Sequence, residues 1–192
     1  MKAVVLAALL AISGCAVMSK MMGDGVVSSW SNSFDGSTTV QVTPGNLYAG
    51  PDEPIMFGMG ALWNSAAPEF VTLVYKYEPN LLTKKNFVNF SMVKISIDGD
   101  VTDHEFEGLT DHEIGSYNSV TGEHAKASVS KTVVPMAMLR KMVESADVKM
   151  RVITQSGAQD ILFSSEKGHA GAPAAIVAIR EFLGEVEKVS KI

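Results

Sequence analysis

Phe87-Val88-Asn89-Phe90-Ser91-Met92-Val93-Lys94-Ile95-Ser96-Ile97-Asp98-Gly99 is the stretch on which the fold turns. Val88, Phe90 and Met92 share one parity, and then Val93, Ile95 and Ile97 take the other. Side chains alternate across a strand, so the pattern predicts one strand whose inward face changes parity midway. A β-bulge near Met92-Val93 would do this, and so would a strand covered on both faces. Asp98-Gly99 reads as a hairpin turn, because a two-residue loop of this kind needs positive φ. An antiparallel pair is therefore expected at the centre of the chain.

Upstream, strands dominate. Residues 26–34 form a plausible strand closed by Asp35-Gly36-Ser37, and residues 38–42 alternate and are β-branched. Pro44-Gly45-Asn46 is expected to break that run. Residues 55–63 read as a buried strand whose Gly58 and Gly60 suggest a bend or close packing. Residues 70–77 place Val71, Leu73, Tyr75 and Tyr77 on one face, and Pro79-Asn80 ends them.

Downstream, residues 99–122 are polar and punctuated by Gly108, Gly115 and Gly122, which suggests short strands joined by turns. Residues 126–134 read as a strand. Pro135 suits the first turn of a helix, and Met136, Leu139, Met142 and Val143 follow at helical spacing to about residue 145. Residues 147–154 form a strand with Val148, Met150 and Val152 on one face. Ser156-Gly157 turns, and Ile161-Leu162-Phe163 returns. A loop covers 168–171. Pro173 opens a last helix to about residue 189, with Ile176, Ile179, Leu183 and Val186 as its apolar stripe and Phe182 at the edge. The expected class is α+β: a largely antiparallel β-sheet, a helix after about residue 135, and a C-terminal helix packed on one face.

The chain holds one cysteine, Cys15, directly behind an apolar N-terminal run. Lys2 supplies a positive charge, residues 3–12 are apolar, and Ser13-Gly14 are small, the three-part layout of a secretory signal. The run is too short to span a bilayer, which needs about 20 residues. Ile12-Ser13-Gly14-Cys15 resembles the lipobox of bacterial lipoproteins. That resemblance implies a diacylglyceryl group on the Cys15 sulfur, cleavage before Cys15, and acylation of the new N-terminus. Each buried acyl methylene contributes about 0.8 kcal/mol, and two chains anchor stably. Two other readings are a cytoplasmic protein whose first strand ends in Gly-Cys, and a secreted protein cut a few residues later. Aspartate after the cysteine retains such lipoproteins at the inner membrane, and here the residue is Ala16. The resemblance thus implies the outer membrane facing the periplasm for a Gram-negative source, and otherwise the outer face of the cell membrane. The expected organisation is a signal at 1–14, a lipidated tether at 15–25 and a single α+β domain at 26–192.

Composition narrows the function. Without Lys2 the formal charge moves from −5 to about −6, which argues against nucleic-acid binding and against a polybasic lipid surface. With Cys15 lipidated, no thiol is left for disulfides or catalysis. The eleven methionines show no tight Met-x-Met-x-Met cluster for copper and read as core filler.

Thr102-Asp103-His104-Glu105 recurs as Thr110-Asp111-His112-Glu113, and His124 follows. Imidazole and carboxylate are the ligands of zinc and other divalent metals. If the two tetrapeptides formed a hairpin through Gly108, His104, His112 and His124 with Asp103, Asp111, Glu105 or Glu113 could complete a site. The spacing matches no established zinc motif, and the plainer reading is a pair of solvated turns. Ser164-Ser165-Glu166-Lys167-Gly168-His169 gathers Ser, Lys and His without a visible oxyanion site. No phosphate-cradling glycine loop occurs. Glu105, Glu107 and Glu113 could serve a glycosidase only as chance neighbours. Trp30, Trp63, Tyr75 and Tyr77 read as core or sheet-face residues, although an exposed Trp30 near the tether would suit a partner or the membrane interface. The expected function is a lipid-anchored, non-catalytic binding or accessory module with an envelope protein partner and no cofactor. A metal-binding lipoprotein and a hydrolase with a scattered site are the alternatives.

Overall fold

Alternating burial and turn chemistry sort the chain into two facing antiparallel sheets. The computed structural model describes residues 24–49, 57–79, 87–119, 122–166 and 173–191. The signal expected at 1–14, all but the end of the tether expected at 15–25, and the loop expected at 168–171 lie outside the described residues, as do Cys15, Lys167 and His169.

Strands β1 (Val27–Ser31), β2 (Thr38–Asn46), β3 (Phe57–Asn64) and β4 (Phe70–Tyr77) make an antiparallel meander. Next come β5 (Phe90–Ile97) and β6 (Asp100–Glu105), then β7 (Asp111–Asn118) and β8 (Glu123–Pro135). Helix α1 (Met136–Glu144), β9 (Val148–Thr154), β10 (Gly157–Leu162) and helix α2 (Ala175–Val189) complete the order. One sheet runs β1-β2-β3-β4-β8-β7 and the other β10-β9-β5-β6. The chain therefore passes from the large sheet to the small one, back, and across again. A mostly antiparallel α+β class follows, with one of the two described helices C-terminal.

The parity patterns decide what faces inward. Val71, Leu73, Tyr75 and Tyr77 are buried on one face of β4. In β5 the pairing to β9 shifts between Phe90 and Met92, just upstream of the expected bulge, so Phe90, Val93, Ile95 and Ile97 all reach the core. Asp98 (φ 53°) and Gly99 (φ 94°) carry the β5–β6 turn in the positive-φ region such loops require.

Pro44-Gly45-Asn46 does not break β2, contrary to expectation. The strand runs to Asn46, and its register against β3 shifts between Val42 and Gly45. Proline lacks the N–H a regular ladder needs and is tolerated where the ladder is interrupted. Gly60 lies opposite this bulge. A Cβ there would lie 2.9 Å from Pro44 N and 3.0 Å from Thr43 C, and would meet the Val42 carbonyl oxygen as well. Only glycine lets the bulged backbone come so close.

Between the sheets, aromatic rings meet at tilted or edge-on angles, with centroids 5.3 Å apart for Phe57–Tyr77 and Tyr75–Phe106, and 5.1 Å for Phe90–Phe106. The inward face of β8 carries the buried hydroxyls of Ser128, Ser130 and Thr132; among the described residues Ser130 Oγ has no hydrogen-bond partner, and the other two are bonded. Val88 N–H donates to Ser128 Oγ at 3.0 Å, and Thr132 Oγ donates to the Glu105 carbonyl at 2.8 Å. Both bonds tie β8 to chain on the small-sheet side and satisfy the Ser128 and Thr132 hydroxyls, which would otherwise cost stability. Helix α2 lies against β1, β2 and β3 and buries Ile176, Ile179, Phe182, Leu183 and Val186. Asn46 N–H donates to the Pro173 carbonyl at 3.1 Å, which fixes the helix start on β2. Helix α1 buries Met136, Leu139 and Met142, and its Arg140 meets Glu187 of α2 at 2.6 Å.

Candidate functional site

The two Asp-His-Glu segments belong to different sheets. Residues 103–105 lie in β6, paired with β5, and residues 111–113 lie in β7, paired with β8. The hairpin through Gly108 is not formed; there the chain crosses from one sheet to the other. His104 Nε2 is 2.9 Å from Thr102 Oγ1, and burial pushes its pKa below the ordinary histidine value against the pull of Asp103. His112 sits with Nδ1 3.3 Å from Ser128 Oγ and Nε2 3.1 Å from Asn89 Oδ1, its ring against Phe87. His124 Nδ1–H donates to the Gly115 carbonyl at 3.0 Å. Asp103 takes Lys94 at 2.6 Å. Glu105 stands across from Met92, Asp111 from Val129 and Glu113 from Ala127. Each imidazole is thus held locally. Among the described residues no group of three or more His, Cys, Asp or Glu is placed to hold a metal ion.

The outer face of the small sheet carries a row of charges. Asp160, Arg151, Lys94 and Asp103 are cross-strand neighbours on β10, β9, β5 and β6. Arg151 grips Asp160 with two bonds, Nε to Oδ1 at 2.5 Å and Nη2 to Oδ2 at 2.7 Å. Those bonds hold the Asp160 carboxyl below the usual range. The next row, Leu162, Lys149, Ser96 and Val101, forms part of a shallow trough of about 480 Å³. Lys149 is paired with Asp147 at 3.0 Å. Every cation of this face has a carboxylate partner, so the face is nearly neutral.

A different arrangement occurs where β1 meets α2. Among the described residues strand β1 is an edge, bonded only to β2. Thr43 N–H donates to the Val26 carbonyl at 3.1 Å and Asn32 N–H to the Ser37 carbonyl at 2.7 Å. These two bonds fix the phase of the ladder between them. Ser28 and Trp30 bond to β2, while Val27, Ser29 and Ser31 turn their N–H and C=O groups to the open side. Beside that edge is a hollow of about 570 Å³ lined by Val27, Ser29, Glu181, Gly184, Glu185 and Lys188. The four α2 residues recur at helical spacing and present one stripe to the strand. Ser29 Oγ donates to Glu185 Oε1 at 3.4 Å, and Lys188 Nζ approaches Glu185 Oε2 at 2.9 Å. The Lys188 hydrogen bond, the largest influence, lowers the Glu185 pKa. A Cβ on Gly184 would meet nothing within 4 Å.

Among the described residues the other three strand edges are guarded. β6 carries Asp100, Asp103 and Glu105. β7 carries Asp111 and Glu113 and is bulged between Ile114 and Tyr117. β10 carries Asp160 and is bridged at Leu162 by Tyr48. Charges, bulges and covering chain are the usual defences of an edge. β1, with the sequence Val-Ser-Ser-Trp-Ser, has no charge, no proline and no bulge.

The sequence held two faint signals of this groove. Strand β1 is rich in serine where a buried strand would alternate, and Gly184 interrupts a helix whose neighbours are good helix formers. Neither signal tells which edge of which sheet lies beside α2. Compared with protein-family models, curated proteins and solved structures, the chain matches none.

Proposed function

We propose that this protein is an exported, lipid-anchored envelope protein whose folded part is a non-catalytic binding module. The observation that carries the binding role is the uncharged edge of β1 beside the hollow at α2, an arrangement of open backbone donors and acceptors suited to recognition. The location rests on the resemblance of Ile12-Ser13-Gly14-Cys15 to a lipobox. In this reading residues 1–14 are removed, Cys15 carries the acyl chains, and residues 15–25 tether one domain at 26–192. That domain is the antiparallel sheet structure with its helix after about residue 135 and its C-terminal helix on one face. Ala16 favours the outer membrane, facing the periplasm, in a Gram-negative cell, and the outer face of the cell membrane otherwise. Trp30 is 47% exposed and Phe34 98% exposed, and such aromatics suit a partner or the lipid interface.

Chemical cross-linking in intact envelopes at native expression tests the reading. A discrete envelope protein cross-linked to the lipidated chain is expected. Recovery of the chain alone, with no partner across several linker chemistries, would overturn the accessory role.

A further inference from the structure

We infer that the outer face of the large sheet, at the end holding Trp30 and Phe70, lies against the neutral phospholipid surface to which the chain is anchored. The inference rests on the reading of the protein as lipid-anchored and adds how the folded part meets its membrane. Ser29 turns to helix α2 and Tyr75 to the small sheet, so Val40, Leu73 and their row neighbours are buried on that side. Alternation then sends Ser28, Trp30, Phe70 and Thr72 to the opposite, outer face.

One row of that face crosses five strands as Ser28, Gln41, Leu62, Thr72 and Val133. Nearer the β1–β2 loop stand Trp30, Thr39 and Asn64, with Phe70 opposite Pro135 on β4 and β8. None of these positions is charged. Trp30 and Phe70 are each 47% exposed, Val133 is 39% exposed, and Phe34 in the β1–β2 loop is 98% exposed. Large apolar side chains gathered on an open face mark an interaction surface. Charge returns further along the face, at Lys131 across from Val74 and Lys76 across from Gly58.

The chemistry of these rows fits lipid better than protein. Tryptophan sits preferentially at the headgroup level of a bilayer, and a face without charge suits neutral lipid. A protein partner would be recognised through hydrogen bonds as well as apolar contact. The Asn64 amide is already engaged, with Nδ2 donating to Thr39 Oγ1 at 2.9 Å and Oδ1 accepting the Ala66 N–H at 2.8 Å. The tether supplies the reach. The eleven peptide steps from Cys15 to Val26 span at most about 40 Å. From Val26 to Trp30 the chain covers about 13 Å along β1. A chain anchored at Cys15 thus holds this face near the bilayer, and docking becomes an intramolecular step that needs little affinity of its own.

The test uses the processed, lipidated protein in phosphatidylcholine vesicles, with and without bromine on the acyl chains, and reads tryptophan emission. Bromine quenches an indole that approaches it. Trp63 is held in the core at 2% exposure, so Trp30 reports on the face. Emission is expected to fall by about a third in brominated vesicles and to stay so in high salt, because apolar docking is not screened. Trp30→Phe is expected to abolish the fall. Phe34→Asp combined with Phe70→Asp is expected to halve it at least, with the thermal midpoint kept within a few degrees.

Equal emission in both kinds of vesicle, from protein that still floats with them, would overturn the inference while lipid anchoring stands. Quenching that survives Trp30→Phe, is undiminished in the well-folded double variant or is lost in high salt would overturn it too. So would an unquenched Trp30 with Phe70→Cys cross-linking to a second copy, which would give the face to a dimer. Protein recovered without acyl chains would overturn the lipid-anchored reading and this inference with it.

Discussion

Tyr75 on β4 donates its phenolic hydrogen to Met150 Sδ on β9 across 3.6 Å, joining the two sheets through their buried faces. Burial pushes the Tyr75 phenol well above its ordinary range, because the phenolate would have no water around it. Above about pH 10 the unfolded chain releases this proton and the folded chain does not, so stability falls as the pH rises past that point. Denaturation midpoints at pH 8 and pH 11 are expected to show that loss, and Tyr75→Phe is expected to reduce it. At neutral pH, Tyr75→Phe should cost within about 1 kcal/mol. Tyr75→Ala should cost about 3–5 kcal/mol through the cavity it leaves.

Two glycines should respond in opposite ways to the same substitution. Gly60→Ala drives a methyl group into the backbone of the β2 bulge and should destabilise by about 1–3 kcal/mol. Gly184→Ala places its methyl group in open space on α2 and should stabilise by up to about 1 kcal/mol. Urea denaturation of the two variants beside the wild type checks both signs.

Much of this fold was legible because burial follows parity. The alternation of Val71, Leu73, Tyr75 and Tyr77 identified β4, the shift around Met92 signalled the β5 bulge, and Asp98-Gly99 marked its hairpin. The strand through Pro44 was not legible. A proline beside glycine reads as a breaker unless the facing residue is known to be Gly60, and pairing is a long-range fact. The separation of His104 from His112 was hidden for the same reason. Eight residues suffice for a hairpin or for a crossover between sheets, and only the partners β5 and β8 distinguish the two. The β1 edge was hidden more deeply, since an edge is defined by what fails to pair with it.

The Arg151–Asp160 bridge should carry a pH signature. Its hydrogen bonds depress the Asp160 pKa, so their contribution is present above the unfolded carboxylate value, near pH 4, and is lost as the pH falls through the lower folded value. Asp160→Asn is expected to lower the urea midpoint slightly at pH 7 and to leave it unchanged at pH 2. Equal losses at both pH values would contradict the assignment.

His104 should titrate below the ordinary histidine range, because its partly buried ring resists protonation. Neutral His104 is then favoured by folding, and stability declines as the pH falls below about 6.5. Imidazole proton shifts recorded from pH 4 to pH 8, with His104→Gln to assign the resonance, check the direction. Because His104, His112 and His124 are held by separate partners, calorimetric titration with zinc is expected to show no tight, saturable binding. A stoichiometric high-affinity isotherm would restore the metal-binding alternative.

The claim on which the account rests most heavily is the lipid on Cys15. Bacteria expressing the wild-type chain and Cys15→Ser are labelled with radioactive palmitate, and the protein is recovered from the membrane fraction. The wild type is expected to incorporate label and to migrate as the shorter, processed form. Cys15→Ser is expected to remain unlabelled and uncleaved before residue 15. Label retained by Cys15→Ser, or a wild type that stays unlabelled and soluble, would contradict the account.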